Sequence, residues 1–321
     1  MSTAGVTRLA GARSMVTGGA GFFGSHVVDA LRAAGAPEPV VPRSRDCDLT
    51  SRWEAAQLLE LTRPDLVLHL AAQVGGIGAN MRQPGTFFWA NMAMGLNVLD
   101  AARRADVAKV VMVGTCCSYP QRAATPLREF TLWEGYPEET NGAYGVAKRA
   151  LITMAQAYRQ QFGCHAITVI PANLYGPRDH FGLEDSHVIP AMIRKFEDAR
   201  CAGADSVTLW GDGSPTREFL YVEDAARGVL LAAAHYDEPA PVNLGTGQEI
   251  AIADLARLVA TLVGFGGQVC WDERRPNGQP RRRLDVTRAA EAFGFRSTVS
   301  IDEGLRRTIA WYRANKEQAC C

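Results

Sequence analysis

The stretch VTGGAGFFGSHVVDALRAAG occupies residues 16–35. It follows a short apolar run, RSMVT at 13–17, and ends in apolar residues at helical spacing. Between them stand Gly18, Gly21 and Gly24, three apart. The order reads as strand, glycine loop, and a helix starting near Phe22. In that reading Gly18 permits a tight turn and Gly21 lets the backbone approach a pyrophosphate. Gly24 lets helix and strand pack closely. The helix N-terminus then offers free N–H groups and a favourable dipole to an anion. The plain alternative for a glycine triplet is a structural turn. Its place between a strand and a helix favours the phosphate. The spacing is GxxGxxG, not the GxGxxG of ordinary dehydrogenases.

Outward from this loop, short β-branched runs alternate with helix-length segments. Strands are expected at 13–17, 39–42, 65–71, 109–114 and 166–170. Helices are expected at 22–34, 51–62, 86–105 and 141–162. Repeated βα units predict an α/β fold with a Rossmann-like, doubly wound parallel sheet. The texture changes near residue 175. Helices are expected at 187–200, 222–236, 251–264 and 301–315, with short strands near 207–210 and 268–271. This predicts a nucleotide-binding domain over 1–175, with later returns of the chain to it left open. A smaller, mixed and mainly substrate-binding domain follows over 176–321.

The 321 residues, 47% apolar, suffice for one large or two intimate domains. With 34 basic and 34 acidic residues there is no global field for nucleic acid or an anionic membrane. No apolar run reaches a transmembrane length, and MSTAGVTRLAGARS carries no signal-peptide core, so the cytoplasm is expected. Eight cysteines include no CxxC pair, so a zinc ribbon or thioredoxin chemistry is a poor reading and no metal is expected. Cys320 and Cys321 suggest no role.

The second strand selects the cofactor. An acid at its end would favour NAD. Here VVPRSRDCDLTS places Arg43 and Arg45 first, which could neutralise a 2′-phosphate, with Asp48 near the adenine edge. NADP(H) is the expectation and NAD(H) the alternative; two solvated loop arginines are the bland reading. Further on, GAYGVAKRAL gives Tyr144 and Lys148, four apart and so on one helix face. A neighbouring ammonium would lower the pKa of the phenol and make it an acid–base group. Lys148 could also hold the nicotinamide ribose. A YxxxK pair on its own is commonplace, and a third partner is needed. Thr115, just past the fourth strand in VVMVGTCCSYP, projects where open α/β sheets bind ligands. Its hydroxyl could hydrogen-bond a carbonyl undergoing reduction. Two negative charges on a nucleotide diphosphate would need partners such as Lys195, Arg217 and an arginine of the 281–283 run. A solvated loop is the bland reading of that run.

With these residues assembled, the sequence resembles the extended short-chain dehydrogenase/reductase superfamily and, within it, the GDP-L-fucose synthases. The resemblance runs almost the full chain. It is carried by AAQVGGIGAN (71–80), GTCCSYP (114–120), NLYGPRD (173–179), SHVIPAMIRKF (186–196), WGDGSPTREFLYVED (210–224), NLGTGQ (243–248) and PNGQPRRRLDVT (276–287). It implies NADPH-dependent epimerisation at C3 and C5 of GDP-4-keto-6-deoxy-D-mannose, then reduction at C4, giving GDP-L-fucose. The chemistry is coherent, because a ketone acidifies both neighbouring carbons, and a base and an acid on opposite faces invert them. Through its GSSC-type motif the resemblance implies Cys117 as the base and His187 as the acid, with Cys116 structural. Thr115 stands where the family has serine and keeps the hydroxyl.

The resemblance further implies that Phe22, Phe23, Leu49, Ala71, Ala72, Pro171, Asn173, Leu174 and His187 contact the cofactor with the residues above. Asn173, Val188, Lys195, Trp210, Arg217 and, within its run, Arg282 would contact the substrate. A homodimer through helices 86–105 and 141–162 is expected from the family. Two readings remain beside this one. The first is a reductase or epimerase for another nucleotide-linked 4-keto sugar, such as a deoxyheptose or antibiotic sugar, using NADP or NAD. The second is a non-enzymatic NADP-responsive binding protein, against which the joint presence of Thr115, Tyr144, Lys148, Cys117 and His187 argues.

Overall fold

The computed structural model describes residues 9–183, 186–275 and 277–316; Cys320 and Cys321 lie outside them. Strand β1 (Ser14–Thr17) is buried throughout and runs into Gly18, whose φ of +72° is the left-handed turn that favours glycine. Gly21 is the extended N-cap of helix α1 (Phe22–Ala33). A Cβ on Gly18 would lie 2.7 Å from the Ala71 nitrogen, and one on Gly24 would fall on the Gly18 carbonyl oxygen. The loop thus lets α1 begin directly against the ends of two strands.

The chain leaves α1, makes one bridge from Val40 to Met15 on one side of β1, and returns to pair β2 (Leu66–His69) on the other side. The strand expected at 39–42 is therefore a single bridge. Pro39 and Pro42 lack N–H groups and leave Val40 to hold the contact, donating to Ser14 O at 2.8 Å and accepting from Val16 N at 2.9 Å. This reversal of direction across β1 is the topological switch point, where open sheets bind their ligands.

Helix α2 (Arg52–Thr62) is capped by the Ser51 side chain. Helices α3 (Ile77–Arg82) and α4 (Pro84–Arg104) lead to β3 (Lys109–Val113). Helix α5 (Gly142–Phe162) leads to β4 (Ala166–Pro171). The parallel sheet runs β1-β2-β3-β4 and then takes β9 (Val242–Leu244) from far along the chain. Alternation sends Met15, Val67 and Val110 to one face, packed with Leu59, Val98, Leu99 and Leu151 of α2, α4 and α5. Val16, Leu68 and Val111 face the other way, toward Val27 and Leu31 of α1 and Val229 of α7 (Val222–His235).

The second part holds β5 (Asn173–Tyr175) paired with β8 (Phe219–Tyr221), α6 (Val188–Ala202), and β6 (Ser206–Trp210) paired with β11 (Gln268–Asp272). A three-stranded sheet sets β7 (Thr216–Arg217) between β10 (Ile250–Ala251) and β12 (Arg281–Arg282). Helices α8 (Ile252–Val263), α9 (Thr287–Phe293) and α10 (Ile301–Ala314) complete it. Its own core gathers Phe181, Phe196, Leu255 and Tyr312. The two parts are not consecutive in sequence, since α7 and β9 return to the five-stranded parallel sheet. The sequence pattern placed the long helices well. It did not resolve the strands of two or three residues, which are too short to show a period.

The Gly24 contact is open to test. Alanine normally favours a helix over glycine by about 1 kcal/mol, yet here its methyl group meets a backbone oxygen. Gly24→Ala should lower stability by about 1–3 kcal/mol, read as a lower urea midpoint. An unchanged or higher midpoint would show that the loop has room to spare.

Candidate active site

A single cavity of about 1000 Å³ opens along the carboxyl ends of β1 to β4 and continues between the two parts of the molecule. Every residue singled out above for catalysis, cofactor or substrate, from Gly18 to Arg282, lines it. The glycine loop and the first turn of α1, which carries no acidic side chain, form one end. Arg43 lies beside them with no acidic partner among the described residues, so its guanidinium is free for an anion. Arg45 pairs with Asp46 at 3.5 Å. The Asp48 carboxylate accepts from Thr50 N at 2.9 Å and Thr50 Oγ1 at 2.7 Å, which stiffens the turn at this end of the cavity.

At the switch point His69 is a residue the sequence reading passed over. Its Nδ1 lies 2.8 Å from Thr17 Oγ1, tying the ends of β1 and β2 together. Burial, with the Lys148 charge nearby, pushes it down to about 3, so it is neutral. It reads as one more letter of a buried strand, and only the pairing of β1 with β2 reveals its partner.

The centre of the cavity lies where β3 ends. Thr115 leaves the sheet and caps a 3₁₀ turn, Cys116–Ser118, its Oγ1 accepting from Cys117 N at 3.2 Å. Gly145 of α5 packs onto this turn; a Cβ there would lie 2.5 Å from Cys117 O. That close approach brings Tyr144 beside Thr115, near enough for the threonine hydroxyl to favour the ionised phenol. Lys148, one turn on, is buried and donates to Val113 O at 3.1 Å.

The expected lowering of the phenol pKa by Lys148 does not occur. The Tyr144 pKa is raised, first by burial and then by the negative charge available to Cys117, with the Thr115 hydrogen bond opposing. Lys148 holds a backbone carbonyl rather than the phenol. Its own pKa is pushed down to about 8 by burial. Tyr144 is therefore a loaded proton donor, the form that reduction of a ketone consumes.

Cys117 faces the cavity and His187 stands at the N-cap of α6, its imidazole open to cavity solvent but closely surrounded by protein. Burial lowers the His187 pKa, and the charge on Cys117 raises it in part. Cys117 is held well below the usual thiol range by the Cys116 thiol hydrogen bond and by the Arg282 cation, against desolvation. Arg282 Nη1 lies 3.4 Å from Cys117 Sγ. Asn173 donates to Glu218 O at 2.9 Å, with Cys116 Sγ 3.9 Å from its Oδ1.

Toward the far end stand Val188 and Lys195 of α6, Lys195 donating to Thr208 O at 3.0 Å. Trp210 is half exposed, with the Arg275 guanidinium 4.8 Å from its ring centre. Arg217 donates only to backbone oxygens, of Thr216 at 2.8 Å and of Asn277 at 3.5 Å. Burial and the neighbouring Arg282 push Arg217 down to about 10, so an anion there would relieve it. The sequence reading also missed Glu138, Asn141 and Gln279, which line the middle of the cavity. The Asn141 Oδ1 is buried without a hydrogen-bond partner. They lie outside the long helices and strands, so no periodicity singled them out, although Gln279 falls within the segment PNGQPRRRLDVT.

The profile of the NAD dependent epimerase/dehydratase family matches residues 14–245. The chain belongs to that family. This epimerase/dehydratase chain is 42% identical over 306 residues to the probable GDP-L-fucose synthase 1 of Oryza sativa subsp. japonica, covering 95% of this chain and 93% of that one. It is similar to the GDP-L-fucose synthetase of Naegleria fowleri bound to NADP, with a TM-score of 0.87 and 29% identity over 95% of each chain. It is also similar to a GDP-6-OMe-4-keto-L-xylo-heptose reductase from C. jejuni, with a TM-score of 0.89 and 25% identity, covering 95% of this chain and 99% of that one.

The glycine loop suits a dinucleotide, because the absence of side chains at Gly18 and Gly24 lets the N-terminus of α1 sit directly against the strand ends, with its first N–H groups at the cavity. Lys148 gives a pH test of that fit. It is cationic below about 8 and neutral above. NADPH titrated from pH 6.5 to 9.5 should bind several-fold more weakly at the top of that range. Lys148→Met should bind weakly and without this step; a step retained in the variant would assign it to another group.

Proposed function

We propose that this chain converts GDP-4-keto-6-deoxy-D-mannose to GDP-L-fucose with NADPH. The carrying observation is that a ketone-reduction set and a proton-transfer pair share one cavity. Arg43 and the α1 N-terminus hold the phosphates of the cofactor, and Lys148 holds its nicotinamide ribose. Bound there, NADPH supplies the hydride for C4. Thr115 orients the C4 carbonyl oxygen, and Tyr144 delivers a proton to it as the alkoxide forms. Before that step, Cys117 removes the proton from C3 or C5, and the enolate oxygen rests on the same Thr115 and Tyr144 hydroxyls. His187 returns a proton to the other face. Its protonated fraction is small near neutral pH, and the thiolate opposite enlarges it.

Lys195 and Arg217 take the substrate diphosphate, and Trp210 offers a flat face to the base. We assign nucleotide binding to residues 1–175 with the returning α7 and β9, and substrate binding to the rest. The cytoplasm suits a chain whose six described cysteines are all free. Among the described residues no helix is long and apolar enough to cross a membrane.

The test is NADPH oxidation with GDP-4-keto-6-deoxy-D-mannose in deuterated water. Stoichiometric consumption and a fucose product labelled at C3 and C5 are expected. Tyr144→Phe should bind NADPH yet lose reduction by at least 100-fold, the scale of general acid catalysis; near-normal turnover would refute the assignment. The likeness to the C. jejuni reductase favours a second reading, another GDP-linked 4-keto sugar. Consumption of NADPH only with a heptose substrate would establish it.

A homodimer is supported by helix α4. Phe88, Trp89 and Leu96 are exposed at 39%, 60% and 38%, spaced to form one stripe. The helix lies beside α5, so two copies could pair these helices as a four-helix layer. Trp89→Glu should convert a dimer to a monomer in light scattering at micromolar concentration. A wild-type monomer, or an unaffected dimer, would remove the stripe from the interface.

A further inference from the structure

We infer that Arg282, clamped by Gln279, is the positioning residue that keeps the Cys117 sulfur as a thiolate beside the reacting carbons, and that it does not bind the substrate diphosphate. This rests on the reading of Cys117 as the base. It departs from the role that the resemblance gives Arg282.

The two arginines of the cavity are register partners. Arg282 of β12 pairs with Arg217 of β7, so both start from the same sheet edge. Their guanidinium groups then diverge in their commitments. Arg282 is buried at 9% exposure. Its Nε and Nη2 donate to Gln279 Oε1 at 3.2 and 2.8 Å, and its Nη1 meets Cys117 Sγ at 3.4 Å. Gln279 is itself fixed, donating to Gln121 O at 2.9 Å. The chain of contacts Gln121–Gln279–Arg282–Cys117 leaves Arg282 one orientation and one negative partner. Arg217 has only backbone oxygens and remains free for phosphate.

The groups facing Cys117 come from four elements. Cys116 and Thr115 lie on its own turn, Tyr144 on α5, His187 at the start of α6, and Arg217 and Arg282 on the small sheet. Tyr144 stays protonated and His187 is mainly neutral, so neither supplies a fixed positive charge. Of the two cations only Arg282 reaches the sulfur. Cys116, a neutral thiol beside it, adds no positive charge. A guanidinium suits this place, being permanently charged and planar, so that one edge is held by Gln279 while another nitrogen points at sulfur. Proton removal from C3 or C5 converts thiolate to thiol; the thiol then releases that proton to solvent in the open cavity, a step that Arg282 favours, and the thiolate is ready for the second carbon.

The experiment measures the pH dependence of iodoacetamide labelling at Cys117, by mass spectrometry of the peptide carrying residues 116 and 117, in the intact protein. Wild type should label with a midpoint below that of an ordinary thiol, about 8.5. Arg282→Met should raise the midpoint by at least one pH unit, and Arg282→Lys should restore part of the shift. Gln279→Leu, which leaves the charge but frees its aim, should give a smaller rise. In parallel, deuterium exchange at C3 and C5 should fall at least tenfold at pH 7 in Arg282→Met and recover at pH 9, with KM changed less than threefold. An unmoved labelling midpoint together with a tenfold higher KM would make Arg282 a phosphate ligand and overturn the inference. If Arg282→Met does not fold, the Gln279→Leu and Arg282→Lys midpoints decide. Cys117→Ser separates the two claims. Undiminished exchange in that variant would refute Cys117 as the base, while the labelling midpoints would still report what Arg282 does to the sulfur.

Discussion

The contact on which this molecule depends is the approach of Gly24 to the Gly18 carbonyl. It allows α1 to begin within van der Waals distance of the strand that precedes it. The distance matters because the helix N-terminus is useful to an anion only over its first turn. A larger residue would push α1 outward, away from the end of β1 and the loop that leads from it. The same helix lies on α7, so the loop also fixes where the returning chain can pack.

A second tie joins the cavity's two walls. Glu218 is buried at the edge of the small sheet and has no cationic partner among the described residues. Instead it accepts backbone hydrogen bonds from Thr246 at 2.5 Å, Gly247 at 2.7 Å and Leu284 at 2.6 Å. Burial raises its pKa and these donors pull it back. One carboxylate thereby ties the β9 exit, the β12 exit and the β7–β8 segment together. Arg217 and Arg282 sit on two of those three segments. Their positions relative to the sheet, and so to Thr115 and Tyr144, are set by backbone geometry more than by their own side chains.

The sequence made the half built on the parallel sheet legible because its signals are periodic or positional. Buried strands read as apolar runs, helices as stripes, and Gly18, Gly21 and Gly24 as a spaced loop. Tyr144 and Lys148 were found because a helix turns spacing into a shared face. What they do to each other was not legible, since burial and a carbonyl acceptor decide it. The resemblance brought Cys117 and His187 forward, and no spacing would have done so. Gln279 and the division of labour between Arg217 and Arg282 depend on a two-residue strand pairing. Such a pairing leaves no trace in composition or period.

The order of the elements along the chain has a consequence for how the protein is made. The fifth strand of the main sheet comes from residues 242–244, and α7, which covers α1, comes just before it. A chain that has emerged only to residue 175 would present β4 as an open edge and α1 with an uncovered apolar face. The five-stranded sheet can be completed only after much of the second part has been synthesised. Folding therefore rewards long-range contacts late, which slows it and lengthens the time that aggregation-prone surface is exposed. The interleaving that places both walls of the cavity against one sheet leaves the growing chain dependent on protection until β9 arrives.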